Sequence, residues 1–525
     1  MRFATLVGSV AAALALVGCG AGGRHGNGPD FLVFEASFDG VSTALYACDA
    51  EGDGLRRIDG LVGDVQRHRW SPDRSRVAFV ARDAGGDDTM YVVDLPSGVP
   101  QPVSPAPGAG GYVGDPIWSP DGTKLAWVGD LVDDALDTKE LWVWLGAGLA
   151  AQVSGNESAM GIGAPRWSPD GTMIAYGGQP ANDQPNGPVS LYVVHADGTA
   201  RTDVSGPLVA GGSVSWNIPS GSLGSGNRDV WSADSARVAF LADKETDDVR
   251  ELYTVKPDGT GFVKVLAAPN GAADVSAYSW SPDGTRILGH VVGGSVSRLW
   301  TTLPAGGGAV GVSPVDEYVT FYTVAWRPDG TLVAYATDGG RELRVVGPDG
   351  SAPTLVTTLP VADRIPTQGL RWAPDGSRIG FSAGLEGVGD PDHFRLFTVV
   401  PTAGATPALL SPQVVPLDGN APDSGWTWAP DASRILYVAQ PTANDPYDLF
   451  VATADGADVA QVTSLTPETS YPGAHAWGSD ATRFVWQEGD AGTFRMRTAA
   501  PGGGDRRTVL EDVPPNGWVG YPSVR

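Results

Sequence analysis

Cysteine is almost absent from this chain: only Cys19 and Cys48 occur in 525 residues, and methionine occurs five times. A framework of structural disulfides is therefore excluded, and once a leader ending before Cys19 is considered separately, Cys48 reads as a small buried hydrophobe in the strand LYACD. Positive charge is also scarce, with 35 Lys and Arg against 60 Asp and Glu and a formal net charge of −25. Phosphate binding needs Lys and Arg to displace counterions, so a nucleic-acid surface or a broad anionic-membrane face is excluded. A charged partner is expected to be basic, or a cation. The six His residues (25, 68, 195, 290, 393 and 475) show no metal-ligand spacing. No metal, cofactor or catalytic group is expected on these grounds.

Glycine and proline are abundant, at 72 and 42, which suits short strands joined by tight turns. One phrase returns nine times: a Trp, a small or polar residue, usually Pro, then Asp, then an apolar run. It begins at Trp70, Trp118, Trp167, Trp231, Trp280, Trp326, Trp372, Trp428 and Trp477. Self-similarity at this period means one supersecondary unit has been copied, each copy burying its faces against its neighbours. In Trp118 to Gly155, Ser119-Pro120-Asp121-Gly122 is a turn, since Pro presets one backbone angle and Gly tolerates a positive one. The runs LAWVG and LWVWL that follow lack polar alternation, so both their faces are expected to be buried. Four antiparallel strands per unit, buried on both sides, describe a propeller blade.

The phrase resembles the PD40 repeats of TolB-like β-propellers, relatives of WD40 blades, over nearly all of residues 31–525. The expected fold class is therefore all-β, a propeller of four-stranded antiparallel blades. Pro29-Asp30-Phe31-Leu32 opens like a unit lacking its inner Trp strand, and Pro522-Ser523-Val524 stands where an inner strand would. The C-terminal strand is thus expected to complete the first blade, making about ten units. Most propellers have four to eight blades, so two smaller propellers are the alternative, with the long interval from Trp167 to Trp231 as a loop or a junction. A second long interval runs from Trp372 to Trp428.

At the N-terminus the apolar stretch Phe3 to Val17 is too short and too weakly flanked to span a membrane, and reads as a secretory signal. Leu16-Val17-Gly18-Cys19 resembles the lipobox of bacterial lipoproteins, which implies lipidation at Cys19 and anchoring at the periplasmic side or the cell surface. The organisation expected is a signal peptide over 1–18, a flexible tether over 19–30 and the propeller over 31–525.

The PD and DG turns fall on one face of a propeller, and the connections between second and third strands and between blades on the other. The second class is long and varied here, which places the expected working face there. Its acidic candidates are Asp83, Asp87, Asp88, Asp133, Asp134, Asp137, Glu245, Asp247, Asp248, Asp390 and Asp392. The repeated Trp residues read as interblade anchors, whereas Trp216, Trp426 and Trp518 stand outside the register and are candidates for exposed contacts. Two motifs are discounted. Asp49 to Gly54 begins like a calcium loop but has Gly60 where a bidentate Glu is needed, and Gly380-Phe381-Ser382-Ala383-Gly384 matches a nucleophile pattern on a strand. His68 and His475 share a place two residues before an anchoring Trp, which points to packing.

Resemblance to TolB-like proteins implies a non-catalytic envelope protein that binds a protein or peptide. TolB itself carries an α/β domain ahead of its propeller, which nothing between Cys19 and Phe31 could form, so its partners are not carried over. Related propellers also occur in prolyl-oligopeptidase-like and tricorn-like peptidases and in polysaccharide lyases, which leaves an enzyme or a carbohydrate-binding surface protein as alternatives.

Overall fold

The structure, a computed structural model, describes residues 32–524 except 38–41, 50–51, 61, 97, 107–110, 132–138, 156–164, 180–187, 216–229, 268–273, 294–295, 315–318, 320–322, 352, 361–362, 366–369, 386–392, 412–414, 417–424, 440–446, 465–470, 491–492, 514–517 and 520–522. The described strands form ten antiparallel sheets, each one blade. Blade 2 shows the plan. Asp64–Trp70, Arg76–Arg82, Asp88–Asp94 and Gln101–Pro102 lie side by side in chain order, with Val77 opposite both Trp70 and Val93.

Blade 1 is composite. Its Leu32–Ser37 strand pairs with Ala44–Cys48 on one edge and on the other with Trp518–Val519 and Ser523–Val524 from the far end of the chain. The expected closure is therefore how the ring is made. Ten apolar cores, one between each pair of consecutive blades, complete it. In blade 2, Val77, Phe79 and Ala81 pack on Val33 and Leu45 of blade 1, while Ala78 and Val80 pack on Leu125 and Trp127 of blade 3. The last core joins Val485 and Met496 of blade 10 to Leu32 and Phe34 of blade 1, and Cys48 is buried in it. Each strand of a blade's middle thus has two buried faces, which is why its sequence reads as a continuous apolar run.

The protein is accordingly one ten-bladed ring and not two propellers. Across the long interval after Trp167 the blade 4 residues Ala175, Leu191 and Val193 pack directly on Val214, Val230 and Trp231 of blade 5. The extra residues interrupt the inner strand of blade 5: Val214–Ser215 pairs with Leu241 and Ala242, and Trp231 resumes the pairing at Val238. A division there would have left two apolar faces uncovered.

In seven of the nine units the repeated Trp is an anchor with a hydrogen-bond partner in the previous blade, whereas the Trp428 indole N–H is buried without one among the described residues. Trp118, Trp167, Trp231, Trp280 and Trp372 each donate their indole N–H to the backbone carbonyl of the residue just before the previous unit's Trp, at 3.0 to 3.3 Å. Trp477 does the same to Thr427 at 3.4 Å, and Trp326 reaches the Ser279 hydroxyl at 3.1 Å. Each indole so fills an apolar seam and satisfies a buried donor at once.

The Ser-Pro-Asp turn is equally specific. The Ser119 hydroxyl donates to Asp121 and accepts from the Lys124 N–H, and Asp121 also accepts from the Thr123 N–H and hydroxyl. Gly122 follows at φ 67°, where a side chain is strained; four other units place Arg74, Ser235, Ala432 and Ala481 at that point, at φ 56 to 62°. Neighbouring turns are stitched together as the Arg76 guanidinium donates to the Gly122 carbonyl and the Lys124 ammonium to that of Gly171.

This chemistry sets a pH dependence. Partial burial raises the Asp121 carboxyl, but its hydrogen bonds from Ser119 and Thr123 and the nearby Lys124 outweigh that and carry it down to about 2. Asp73, Asp170, Asp234, Asp283 and Asp329 are lowered in the same way. A folded-state value below the unfolded one means stability that is present above the ordinary Asp value of 3.8 and is lost as pH falls toward 2. Asp121→Asn is expected to melt below the native chain at pH 7, with the gap closing between pH 4 and 2; an equal gap at both ends would disprove the assignment.

Candidate functional site

Each blade's first-to-second and third-to-fourth turns lie on one face, so the second-to-third connections and the links between blades lie on the other. On this loop face the described acidic residues divide into two kinds. Asp83 accepts the N–H groups of Gly85 and Asp87, at 2.8 and 3.1 Å, and so shapes its own loop while staying exposed. Asp87 is half-buried beside it. Asp88 differs from expectation: it is only 1% exposed and lies opposite Arg82, which binds it through Nε and Nη2 at 2.7 and 3.1 Å. It is therefore a strand-end ion pair and not part of an acidic rim.

The densest acidic group is in blade 5. Asp243, Asp247 and Asp248 bring carboxylate oxygens within 4.8 Å of one another, with Asp247 and Asp248 exposed. Asp243 accepts the Ser213 N–H at 2.5 Å, and Gly211 nearby sits at φ 88°, a backbone conformation in which a side chain would be strained. Beside this group the Lys264 ammonium binds Glu245 at 2.7 Å and Glu251 at 3.0 Å. Burial lowers Lys264 and these two carboxylates more than restore it, leaving it above its usual range. Burial, then the Glu251 carboxylate, pushes the Tyr253 hydroxyl far above its own. Three carboxylates supply only part of the oxygen shell of a calcium ion, but they form a strong local field for a cationic side chain or a cation. Asp243, directly after the Val238–Ala242 strand, is not among the sequence candidates; the D-x-x-x-D-D spacing was the available signal.

Asp133, Asp134, Asp137, Asp390, Asp392, Trp216 and Cys19 lie outside the described residues. Trp518 is on the closing strand opposite Ser37. Trp426 is a correction. It is 5% exposed and wedges between blades 8 and 9, where a Cβ on Gly380 would come within 2.9 Å of its ring. The Arg371 guanidinium lies 5.1 Å above that ring and donates to the Trp426 carbonyl at 3.0 Å. An indole held this way is packing, not an exposed contact.

The discounted motifs are likewise structural. Ser382 is fully buried within the Ile379–Leu385 strand, opposite Leu396, and not on an exposed elbow. Asp49 accepts the Asp53 N–H at 2.8 Å inside a strand-to-strand turn. His68 bridges blades, its Nδ1 2.7 Å from Glu35 in blade 1, and His475 is buried. His290 is buried with its ring held by the Ser276 and Ser297 hydroxyls and the Val319 carbonyl, and burial lowers it below its ordinary value.

The class defined by these features is a ten-bladed β-propeller with an acidic loop face. No family model matches the chain, and no curated protein matches it. Among solved structures it is similar to TolB from Acinetobacter baumannii, at 14% identity over 53% of this chain and 62% of that one, with a TM-score of 0.26. It is also similar to a eukaryotic initiation factor, at 11% identity over 94% and 98% with a TM-score of 0.49. A prolyl endopeptidase matches at 12% identity and a TM-score of 0.39 over 73% of this chain, which spans 55% of that enzyme's length.

Proposed function

We propose that the protein is a non-catalytic binding propeller of the bacterial cell envelope, tethered by lipid at Cys19, whose loop face engages a basic segment of an envelope protein. The observation that carries this reading is the convergence of Asp243, Asp247 and Asp248 on a rigid blade, with Glu245 in the same loop and Asp83 exposed on another, beside a half-buried Asp87. A negative field over rigid walls raises the local concentration of cationic groups and speeds their capture. Non-polar anchoring at Cys19 would hold that face within reach of membrane-bound partners.

The test compares affinity capture from envelope extracts by the native chain and by Asp83→Asn, Asp87→Asn, Glu245→Gln, Asp247→Asn, Asp248→Asn combined. Asp88 is left intact, because its loss would strand the Arg82 charge. A basic envelope protein recovered by the native chain alone, and released by salt, is the expected result. Recovery of the same proteins by both chains would sink the proposal.

A further inference from the structure

The charge of the inner strands is opposite to that of the chain. Each inner strand is the end strand of its sheet and has neighbouring blades on both faces, so its free edge borders the central axis of the ring. The residue before the anchoring Trp stands at the same point of every blade, and it is Arg in blades 2, 4 and 8: Arg69, Arg166 and Arg371. Arg69 is exposed, and among the described residues its guanidinium has no carboxylate partner. Arg166 is half-buried, and among the described residues its guanidinium reaches only the carbonyl of Pro165, at 3.5 Å.

Three acidic residues on or beside the inner strands are engaged elsewhere. Asp64 begins its strand on the loop-face side and accepts from the Thr43 N–H and the Gln66 amide. Asp274 begins its strand likewise and pairs with Arg250 at 3.0 Å, and Asp115 pairs with Arg67 at 3.0 Å. The turn aspartates, such as Asp73 and Asp170, are held by their own turn's hydroxyl and N–H donors. In a chain of net charge −25, two arginines without carboxylates in a protein-walled passage form a local inversion of sign.

The backbone there is also open. Asp64–Trp70, the inner strand that carries Arg67 and Arg69, pairs with Arg76–Arg82 on one edge, and its other edge pairs with no described strand. An edge of alternating N–H and C=O groups is complementary to another extended polypeptide, and to no polysaccharide in the same register. Carboxylates on such a segment would form charge-assisted bonds with the guanidinium forks beside it.

We propose that the central passage receives an extended, carboxylate-rich polypeptide segment, docked along Asp64–Trp70 and held by Arg69 and Arg166. This site is separate from the loop face and stands or falls without it. The probe is a fluorescein-labelled ten-residue glutamate peptide, with anisotropy read at low and at physiological salt. The native chain is expected to bind it, more weakly as salt rises.

Arg69→Gln with Arg166→Gln is expected to weaken binding by about tenfold or more, since a hydrogen bond to a charged group carries roughly 1.5–3 kcal/mol. Melting of that variant within a degree or two of the native chain would show that the fold is intact. Neutralising Glu245, Asp247 and Asp248 is expected to leave peptide binding undiminished, which separates this site from the loop-face proposal. Unchanged affinity in the arginine variant overturns the inference, as does failure of the native chain to bind. Binding of polygalacturonate, equally charged but without a peptide backbone, at equal or greater strength would also overturn it.

Discussion

A chain ending at Val513 is expected to lose cooperative folding and to self-associate, although it retains every one of the nine Trp phrases. Truncation there removes Trp518–Val519 and Ser523–Val524, which together make the inner strand of blade 1. Leu32–Ser37 then becomes an edge of unpaired backbone groups with buried apolar residues beside it, Leu32, Phe34 and Ala36 among them. Such an edge is a template for pairing with another chain. The seam between blades 10 and 1 is weakened as well, because Val485 and Met496 pack on Leu32 and Phe34 of the strand that loses its partner. In an array whose stability is a sum over neighbouring interfaces, loosening one core is a cost of about a few kcal/mol. Sedimentation and thermal melting check this: a monomer melting like the intact chain would show that the terminal strand does not close the ring.

The second large effect is expected from Trp167→Ala. Trp167 is fully buried between blades 3 and 4, against Leu141, Val143, Ile174 and Tyr176, and it donates to the Ile117 carbonyl at 3.0 Å. Truncation leaves both a cavity and an unpaired buried carbonyl, for a loss of about 3–5 kcal/mol. Trp167→Phe keeps most of the apolar volume and removes the donor, so about 1–2 kcal/mol is expected. The two variants, measured by denaturant melting, separate packing from hydrogen bonding. Equal losses would mean that the N–H carries the whole effect.

Much of the fold was legible because it is local chemistry repeated. The turn Ser119-Pro120-Asp121-Gly122 carries its own donors, acceptor and positive φ, so it can be read from adjacent residues. Trp118 and its equivalents were legible as anchors from their period alone. Even the missing Trp strand before Leu32 could be matched to Ser523-Val524.

The candidate site was legible only in part. Asp88 was misread because a loop boundary off by one residue turns a strand-end partner of Arg82 into a rim carboxylate. Trp426 was misread because its place depends on Gly380, in the previous blade, whose missing side chain makes room for the ring. Asp243 was missed because its neighbours Asp247 and Asp248 come close only when the loop returns on itself.

Composition and repetition therefore determine the blade: its turns, its four strands, its anchoring Trp and the absence of disulfide support. The tertiary structure alone decides that there is one ring of ten, since blades 4 and 5 share a core despite the long insertion, and that Arg69 and Arg166 stand at the same point of two blades of that ring. The physical reason is range. A turn is made by residues next to one another, whereas a seam or a charged passage is made by residues a whole blade or more apart, brought together only when the last strand closes on the first.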